Sequence, residues 1–202
     1  MLEYTLRTYQ SPTRLVQRLG AIQELGSEAS LLGMRRPLLV TDAGVKAAGL
    51  LEVALESLRR SDVEPVVFDK VRANPGVALV DEGAAEYRSQ GCDGLVAIGG
   101  GSSMDTAKGI GVVAAHDGSI VEYEWGHSPI RSRIPPMIAV PTTAGTGSEV
   151  TLWAVITDPG VRAAGLLDTA LDVLRGSDCE PVVFDRVRAN PGVELVDAGA
   201  AE

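Results

Sequence analysis

Short, mainly apolar runs alternate with amphipathic segments between residues 4 and 140. Runs of this kind, bounded by Pro, Gly or Asp, are typical of strands buried on both faces of a sheet. They occupy residues 37–42, 65–68, 95–98 and 137–140, and the pattern predicts a further opening strand around residues 4–7. Between the runs, apolar positions recur at helical spacing and predict helices over residues 22–32, 45–60, 77–91 and about 102–115.

The predicted helix over residues 45–60 has one apolar face. Its buried stripe is predicted to consist of Ala48, Leu51, Leu55 and Leu58. Glu56 and Arg60 stand four residues apart, so we expect them to pair on the exposed side of this helix.

This alternation of strands and helices predicts an α/β fold, a Rossmann-like parallel sheet with right-handed crossovers and helices on both faces. Ligands of such sheets bind beyond the carboxyl ends of the strands. The candidate site therefore lies in the loops at that edge, which comprise Asp42 and residues 69–75, 99–103 and 142–148.

A run of three glycines at residues 99–101 separates the third apolar run from the helix that follows it. Glycines let the backbone approach an anion closely, and a helix N-terminus offers N–H donors and partial positive charge. Ser102 or Ser103 is expected to cap this helix, with Asp105 in its first turn. The helix is expected to bury a stripe of Met104, Ala107, Gly111 and Ala114.

The glycine turn departs from the named phosphate-binding motifs. Met104 stands where the dinucleotide fingerprint has its third glycine, and no Gly-Lys-Ser/Thr sequence follows. A tight strand-to-helix turn without a ligand is therefore an open alternative. Together with an acid for ribose hydroxyls at Asp42 and the hydroxyl-rich loop at 142–148, the turn predicts a dinucleotide site.

Structural roles stay open for several residues near this edge. Asp42 can instead cap the helix that follows it, and Asp105 can act solely as an acid near a helix N-terminus. Lys108 is equally suited to pairing with Asp105 and to meeting a phosphate. His116 is expected to be a helix-end cation or a loop residue, and His127 an exposed loop residue.

The composition fits a globular protein with a small partner. The 202 residues are 45% hydrophobic and carry a formal net charge of −9, which argues against binding to nucleic acid or to an anionic membrane. No apolar run reaches the roughly 18 residues of a membrane span, and the first residues lack the pattern of a secretion signal. Two cysteines without a motif, Cys92 and Cys179, favour a reducing cytoplasmic location.

Residues 158–202 repeat residues 42–86 without a gap. Eleven of the 45 aligned positions differ, and the other 34 are identical. The second copy stands 116 residues after the first, too far away to stack with it as the repeats of a solenoid do. We interpret the chain as a domain over residues 1–157 followed by a partial duplicate over residues 158–202. We hypothesise that the chain is a chimera, in which an ordinary sequence runs to about Asp158 and a second copy of the segment beginning at residue 42 follows.

Four motifs in order resemble those of the iron-containing (group III) alcohol dehydrogenases, whose fold is of the dehydroquinate-synthase-like kind. They are Val-Thr-Asp at residues 40–42, Asn-Pro at 74–75, the glycine turn with Asp105 and Lys108 at 99–108, and the Thr- and Gly-rich loop at 141–151. The resemblance covers about residues 1–158. It implies that residues 1–157 bind NAD, with Asp42 favouring NAD over NADP. The residues it implies for cofactor binding, together with their neighbours in the same loops, are Asp42, Asn74, Gly99, Gly100, Gly101, Ser102, Asp105, Thr142, Thr143 and Thr146.

By the same resemblance, the reaction is reversible hydride transfer between an alcohol and the nicotinamide. A divalent metal, commonly iron, polarises the substrate oxygen in this family. The implied partners are NAD(H) and a small alcohol or carbonyl compound, and a homo-oligomer is a further expectation.

The metal ligands of the family, an aspartate and three histidines, come from an all-helical second domain that follows the segment ending here near Thr157. This chain has two histidines, and both precede that point. The helical domain and the ligands for iron or zinc are therefore expected to be lacking, and no catalytic residue is assigned. The chain alone is predicted to be inactive; the alternatives are a non-catalytic dinucleotide-binding module and a recombination product.

Overall fold

The computed structural model describes residues 13–124 and 128–158, which form one α/β unit. Its strands are β1 (Leu38–Asp42), β2 (Val66–Val71), β3 (Leu95–Gly99) and β4 (Met137–Pro141). Its α-helices are α1 (Leu25–Leu31), α2 (Ala43–Ala47), α3 (Leu50–Arg59), α4 (Val77–Ser89) and α5 (Gly101–Ala115). Short 3₁₀ helices cover Ala21–Glu24, Ile120–Tyr123 and Ser148–Val150.

The four strands make a parallel sheet in the order β2-β1-β3-β4. Leu38 stands opposite Val66 on one side and Leu95 on the other, so these strands begin in register. The chain leaves β1 in one direction to form β2 and then returns to form β3 on the opposite side. The order therefore reverses between β1 and β3, and a ligand crevice is expected beyond the ends of those two strands, at Asp42 and Gly99.

Two buried clusters cover the two faces of the sheet. Leu38 and Val40 of β1 belong to a cluster with buried side chains of α4 and α5, whereas Leu39 belongs to a cluster with side chains of α1 and α3. Successive residues of a strand face opposite sides of a sheet, so one apolar strand supplies both cores. The prediction of a parallel α/β sheet with helices on both faces is confirmed.

The prediction of a single helix over residues 45–60 is wrong. The segment forms two helices, α2 and α3, separated by Gly49, whose φ of +73° ends the first helical run. Ala48 is exposed and Leu55 is partly buried, contrary to the predicted stripe. The buried residues of α3 are Leu51, Ala54, Ser57 and Leu58. The pairing of Glu56 with Arg60 is confirmed, at 3.8 Å between the nearest charged atoms.

Two strands differ from their predicted form. β4 was expected to be buried, but among the described strands it forms an edge of the sheet, and its residues are only partly buried, with Pro141 exposed. β2 continues to Val71, so the loop expected to begin at Asp69 begins after Val71.

The start of α5 also differs from its prediction. The helix begins at Gly101 with Gly100 as its N-cap residue, and no side chain caps it. The predicted capping role of Ser102 or Ser103 is therefore wrong, since both already lie inside the helix. Asp105 accordingly falls in the second turn rather than the first. Of the predicted stripe, three residues are buried and Ala114 is partly buried; the buried ones are Met104, Ala107 and Gly111.

His116 lies at the carboxyl end of α5, as predicted. Its Nδ1 is 2.8 Å from the Val112 carbonyl oxygen, and its Nε2 accepts hydrogen bonds from the N–H groups of Arg131 (3.1 Å) and Ser132 (3.0 Å). Both ring nitrogens are thus engaged by backbone groups at the end of the helix.

Three predictions fall outside the described residues: the opening strand around residues 4–7, the position of His127, and the duplicate beyond residue 158. Among the residues that are described, no helix is long and apolar enough to cross a membrane.

Candidate functional site

A cavity of about 380 Å³ opens at the carboxyl edge of the sheet. It is large enough for part of a small organic ligand. Five of the predicted cofactor residues line it, from two loops and the start of α5: Asn74, Gly101, Ser102, Asp105 and Thr146. The remaining wall consists of Pro75, Ser148, Thr151, Trp153, Val155 and Thr157.

The N-terminus of α5 supplies the donors on one side of this cavity. The first N–H groups of a helix have no partner within it and project outward along the axis. Gly101 and Ser102 are the first two residues of a 15-residue helix that no side chain caps. A Cβ on Gly101 would stand 3.2 Å from Thr146 Cγ2, a tight contact that glycine avoids. This geometry suits an anion such as a phosphate.

Asp42 caps α2, the structural role that the sequence left open. Its Oδ1 accepts hydrogen bonds from the N–H groups of Gly44 (2.8 Å) and Val45 (3.0 Å). Its Oδ2 accepts the Ser103 hydroxyl at 3.2 Å, which links β1 to α5. Asp42 lies at the crevice between β1 and β3 but does not line the cavity.

Asn74 has a left-handed backbone conformation, with φ of +54°. Asparagine tolerates this conformation better than most residues, so its side chain can be held at a sharp turn without glycine. A second cavity, of about 690 Å³, runs along residues 69–76 beside Ala43, and Asn74 and Pro75 line both cavities. Asn74 and Pro75 therefore stand where the two cavities adjoin.

A cluster of three side chains, Asp105, Lys108 and Ser148, borders the cavity, and the first and last of them line it. The Ser148 hydroxyl donates to Asp105 Oδ1 at 2.6 Å, and Lys108 Nζ donates to Ser148 Oγ at 2.8 Å. Lys108 Nζ is also 3.5 Å from Asp105 Oδ1, which favours the pairing alternative over a free phosphate-binding lysine. Burial lowers the pKa of Lys108, and the Asp105 carboxylate opposes that shift.

Besides Asp42, four predicted residues line neither cavity, namely Gly99, Gly100, Thr142 and Thr143. Gly100 is the N-cap of α5, and the Thr142 N–H donates to the Gly99 carbonyl at 2.9 Å. The Thr143 hydroxyl is buried and has no hydrogen-bond partner among the described residues.

Sequence reasoning missed the wall formed by Thr151, Trp153 and Val155. These residues follow the hydroxyl-rich loop but belong to no helix or strand. Neither the helical nor the strand spacing of apolar residues therefore marks them. The one partial signal was Thr151, which ends the Thr- and Gly-rich motif at residues 141–151.

A metal site does not fit the described residues. Residues 13–124 and 128–158 contain no group of three or more His, Cys, Asp or Glu side chains that could hold a metal ion. His116 has both ring nitrogens engaged with backbone groups. No step of a reaction is therefore assigned to a metal held by this part of the chain.

Fold and cavity together define an open parallel α/β sheet with a ligand crevice at its topological switch point. The chain belongs to the family of iron-containing alcohol dehydrogenases, whose pattern matches residues 12–162. The resemblance inferred from the four motifs is thereby confirmed.

Curated relatives support the same assignment. The chain is 53% identical over 153 residues to choline dehydrogenase of Bacillus subtilis, covering 75% of this chain and 38% of that enzyme. It is 42% identical over 147 residues to the NAD-dependent methanol dehydrogenase of Bacillus methanolicus, covering 73% of this chain and 38% of that enzyme. The chain therefore spans less than half the length of the curated relatives that it matches.

A solved structure shares the fold. Sulfoacetaldehyde reductase of Bifidobacterium kashiwanohense, determined in complex with NAD⁺, matches with a TM-score of 0.71 and 32% sequence identity. The match covers 78% of this chain and 41% of the reductase.

Proposed function

We propose that this chain binds NAD(H) and forms the cofactor-binding part of an NAD-dependent alcohol dehydrogenase. The reaction would be reversible hydride transfer between a small alcohol and the corresponding aldehyde or ketone. The observation that carries the proposal is the convergence of Asn74, Gly101, Ser102, Asp105 and Thr146 on one cavity at the uncapped start of α5. The NAD-dependent methanol dehydrogenase and the NAD⁺ complex among the relatives support it.

The proposed roles follow from position. The pyrophosphate lies against the N–H groups of Gly101 and Ser102, where the helix dipole favours negative charge. Asp42 holds a ribose hydroxyl through Oδ2, which keeps acceptor capacity beside the Ser103 hydroxyl. Asn74 contributes amide donors and acceptors from the loop after β2.

Further proposed contacts come from the loop after β4, and the glycines allow them. The hydroxyls of Thr142, Thr143 and Thr146 can donate to phosphate or amide oxygens. Gly99 and Gly100 keep the strand-to-helix turn free of side chains, so that the cofactor can approach the backbone. Among the described residues we assign binding and orientation of NAD(H), and no catalytic residue.

The proposed cellular setting is the cytoplasm. Cys92 is a free cysteine whose thiol is partly buried, and burial raises its pKa to about 11. A thiol of this kind is typical of a reducing compartment.

The test is a titration of NADH fluorescence with the full chain. We expect saturable binding, and we expect Ser102→Asp to weaken it more than about tenfold because a carboxylate would stand beside the pyrophosphate. Ser27→Asp is the matched control, because Ser27 is exposed in the first turn of α1 and lies outside both cavities. NADH binding should be unchanged in the control.

Turnover is measured on the same preparation, as NADH formation from NAD⁺ with choline, methanol or 4-hydroxybutyrate, with and without added iron or zinc. Binding with turnover supports the dehydrogenase proposal. Binding without turnover under all conditions would identify a dinucleotide-binding module. Absence of NADH binding by the unmodified chain would contradict both.

A further inference from the structure

The segment from Ser148 to Thr157, here called the strap, crosses the carboxyl edge of the sheet and forms one wall of the cavity. Thr151, Trp153 and Val155 of the strap line that wall. The far end of the strap is fastened at Thr157, whose N–H donates to the Pro75 carbonyl at 2.8 Å and whose carbonyl accepts the Val77 N–H at 3.3 Å.

Apolar burial contributes little to holding the middle of the strap. Leu152, Trp153 and Val155 are 87%, 60% and 74% exposed, whereas Ile156 is partly buried against the core. Hydrophobic stabilisation is proportional to the apolar area removed from water, so these three side chains gain little of it. The position of the wall must therefore depend largely on polar contacts.

Lys108 provides those contacts from α5. Its ammonium group donates to the Ser148 hydroxyl (2.8 Å), the Trp153 carbonyl (2.7 Å) and, at 3.4 Å, the Thr151 hydroxyl. These acceptors are spread along the first half of the strap, and Lys108 belongs to a helix whose inner face is buried. One side chain thus joins a segment that is mostly irregular to a long, well-packed helix.

We infer that Lys108 is a positioning residue that fastens the strap to α5 and thereby sets the shape of the Trp153 and Val155 wall. That wall lines the cavity together with Gly101 and Ser102, whereas Asp42 lies outside the cavity. Given the proposed binding of NAD(H), Lys108 controls affinity for the part of the ligand beyond its diphosphate, without touching the phosphates.

The surroundings of Lys108 argue against direct phosphate binding. An ammonium group has three N–H donors, and three strap oxygens accept from them. Asp105 balances the charge from 3.5 Å, and both side chains are nearly buried, at 12% and 13% exposure. A phosphate could reach the ammonium only by displacing strap contacts.

Hydrogen exchange of the unliganded full chain tests the fastening. Lys108→Met keeps the length of the side chain and removes its donors. We expect peptides covering residues 148–157 to exchange about tenfold faster, the effect of losing one charge-assisted hydrogen bond. Peptides from β1 and β3 should be unaffected.

Lys46→Met is the control for loss of a lysine, because Lys46 pairs with Asp69 outside the 380 Å³ cavity. Unchanged exchange of the strap in Lys108→Met would overturn the inference.

Lys108→Met also leaves the Asp105 carboxylate nearly buried without its cation, which can destabilise the whole fold. The double variant Asp105→Asn/Lys108→Met removes both charges while keeping an oxygen acceptor for the Ser148 hydroxyl. We expect the strap to exchange faster in this variant as well. Normal exchange in the double variant would show that an unpaired Asp105, rather than the lost fastening, loosens the strap, and would overturn the inference.

A comparison of two ligands tests the consequence for binding. In Lys108→Met we expect the affinity for NADH to fall about tenfold while the affinity for ADP stays unchanged, because ADP ends at the diphosphate. Equal losses for NADH and ADP would identify Lys108 as a phosphate ligand and overturn the inference. If the unmodified chain binds neither ligand, the proposed function fails, and the exchange experiment still decides whether Lys108 fastens the strap.

Discussion

The Ser103 hydroxyl donates to Asp42 Oδ2 at 3.2 Å and joins the first turn of α5 to the carboxyl end of β1. Gly99 lies against this contact with φ of +149°, and a Cβ there would stand 2.3 Å from Ser103 Oγ and 3.0 Å from Asp42 Oδ2. The glycine is therefore required by packing at the switch point, whether or not a ligand also approaches it.

Gly99→Ala should destabilise the fold strongly. An L-residue at positive φ costs about 1–2 kcal/mol. The clash with Ser103 should add about 1–3 kcal/mol, since Ser103 is buried in the packed start of α5. Gly33→Ala is the reference for alanine at a positive φ without a clash, because Gly33 has φ of +78°, near the left-handed region that L-residues tolerate best, and a Cβ added there would meet no atom within 4 Å. Urea unfolding of both variants measures the difference, and equal losses would contradict the packing argument.

Substitutions at Asp42 should separate its two roles. Asp42→Asn keeps an oxygen that can cap α2, so we expect little change in stability. Asp42→Ala removes the cap and should lower the free energy of unfolding by about 1 kcal/mol. If the carboxylate holds a ribose hydroxyl, both variants should weaken NADH binding about tenfold. Normal NADH binding by Asp42→Asn would show that Asp42 serves only as a cap.

The sequence predicts the sheet well because its signals are local. Runs such as β3 are apolar on both faces, which requires cover on both sides, and the alternation with helices implies parallel strands. The order of strands depends on contacts between distant segments, which no local pattern contains. The sequence analysis did not predict the division of the helix at Gly49, because the apolar periodicity continues through that position. A glycine inside a helical pattern nevertheless argues against a continuous helix.

The candidate site was predictable where backbone geometry determines it. Gly101 and Ser102 sit where any strand-glycine-helix turn would place them. Lys108 could not be assigned from sequence, because its acceptors lie 40 to 45 residues away on the strap. Asp42 caps α2 through residues that are next to it in sequence, whereas its contact with Ser103 joins distant segments. The sequence could therefore suggest the cap but not the contact with Ser103.

The repeat suggests two substitutions that probe residues 42–86 directly. Pro159 is the counterpart of Ala43, the first residue of α2. Proline is favoured at the first helical position because its φ is already suitable and an N–H is not needed there. Ala43→Pro should therefore leave stability unchanged or raise it by about 0.4–1 kcal/mol. A clear loss in thermal unfolding would contradict the assigned start of α2.

Ser57→Val, which introduces the residue found at position 173 of the repeat, should behave in the opposite way. Ser57 is buried, accepts the Gly26 N–H at 3.1 Å and donates to the Gln23 carbonyl at 2.8 Å. Valine would leave both backbone groups without these partners, and we expect a loss of about 1–3 kcal/mol. Ser57→Ala separates the lost hydrogen bonds from the added bulk. Stability equal to the unmodified chain in both variants would show that these bonds contribute nothing.

Alkaline pH should weaken the fold through Cys92 and Tyr87. Burial raises the pKa of Cys92 from 9.0 to about 11 and the pKa of Tyr87 from 10.0 to about 12. Below pH 9 both states keep the Cys92 proton, so its contribution to stability is fully present. Between pH 9 and about 11 the unfolded chain releases that proton first, and the free energy of unfolding must fall.

Urea unfolding midpoints measured from about pH 8 to about pH 10.5 test this dependence. Cys92→Ala should flatten the first part of the decline, because it removes the group that titrates earliest in the unfolded chain. The decline that remains at higher pH should come from Tyr87, whose ordinary pKa is one unit higher. A decline identical in Cys92→Ala and in the unmodified chain would show that the partly buried thiol does not couple ionisation to folding.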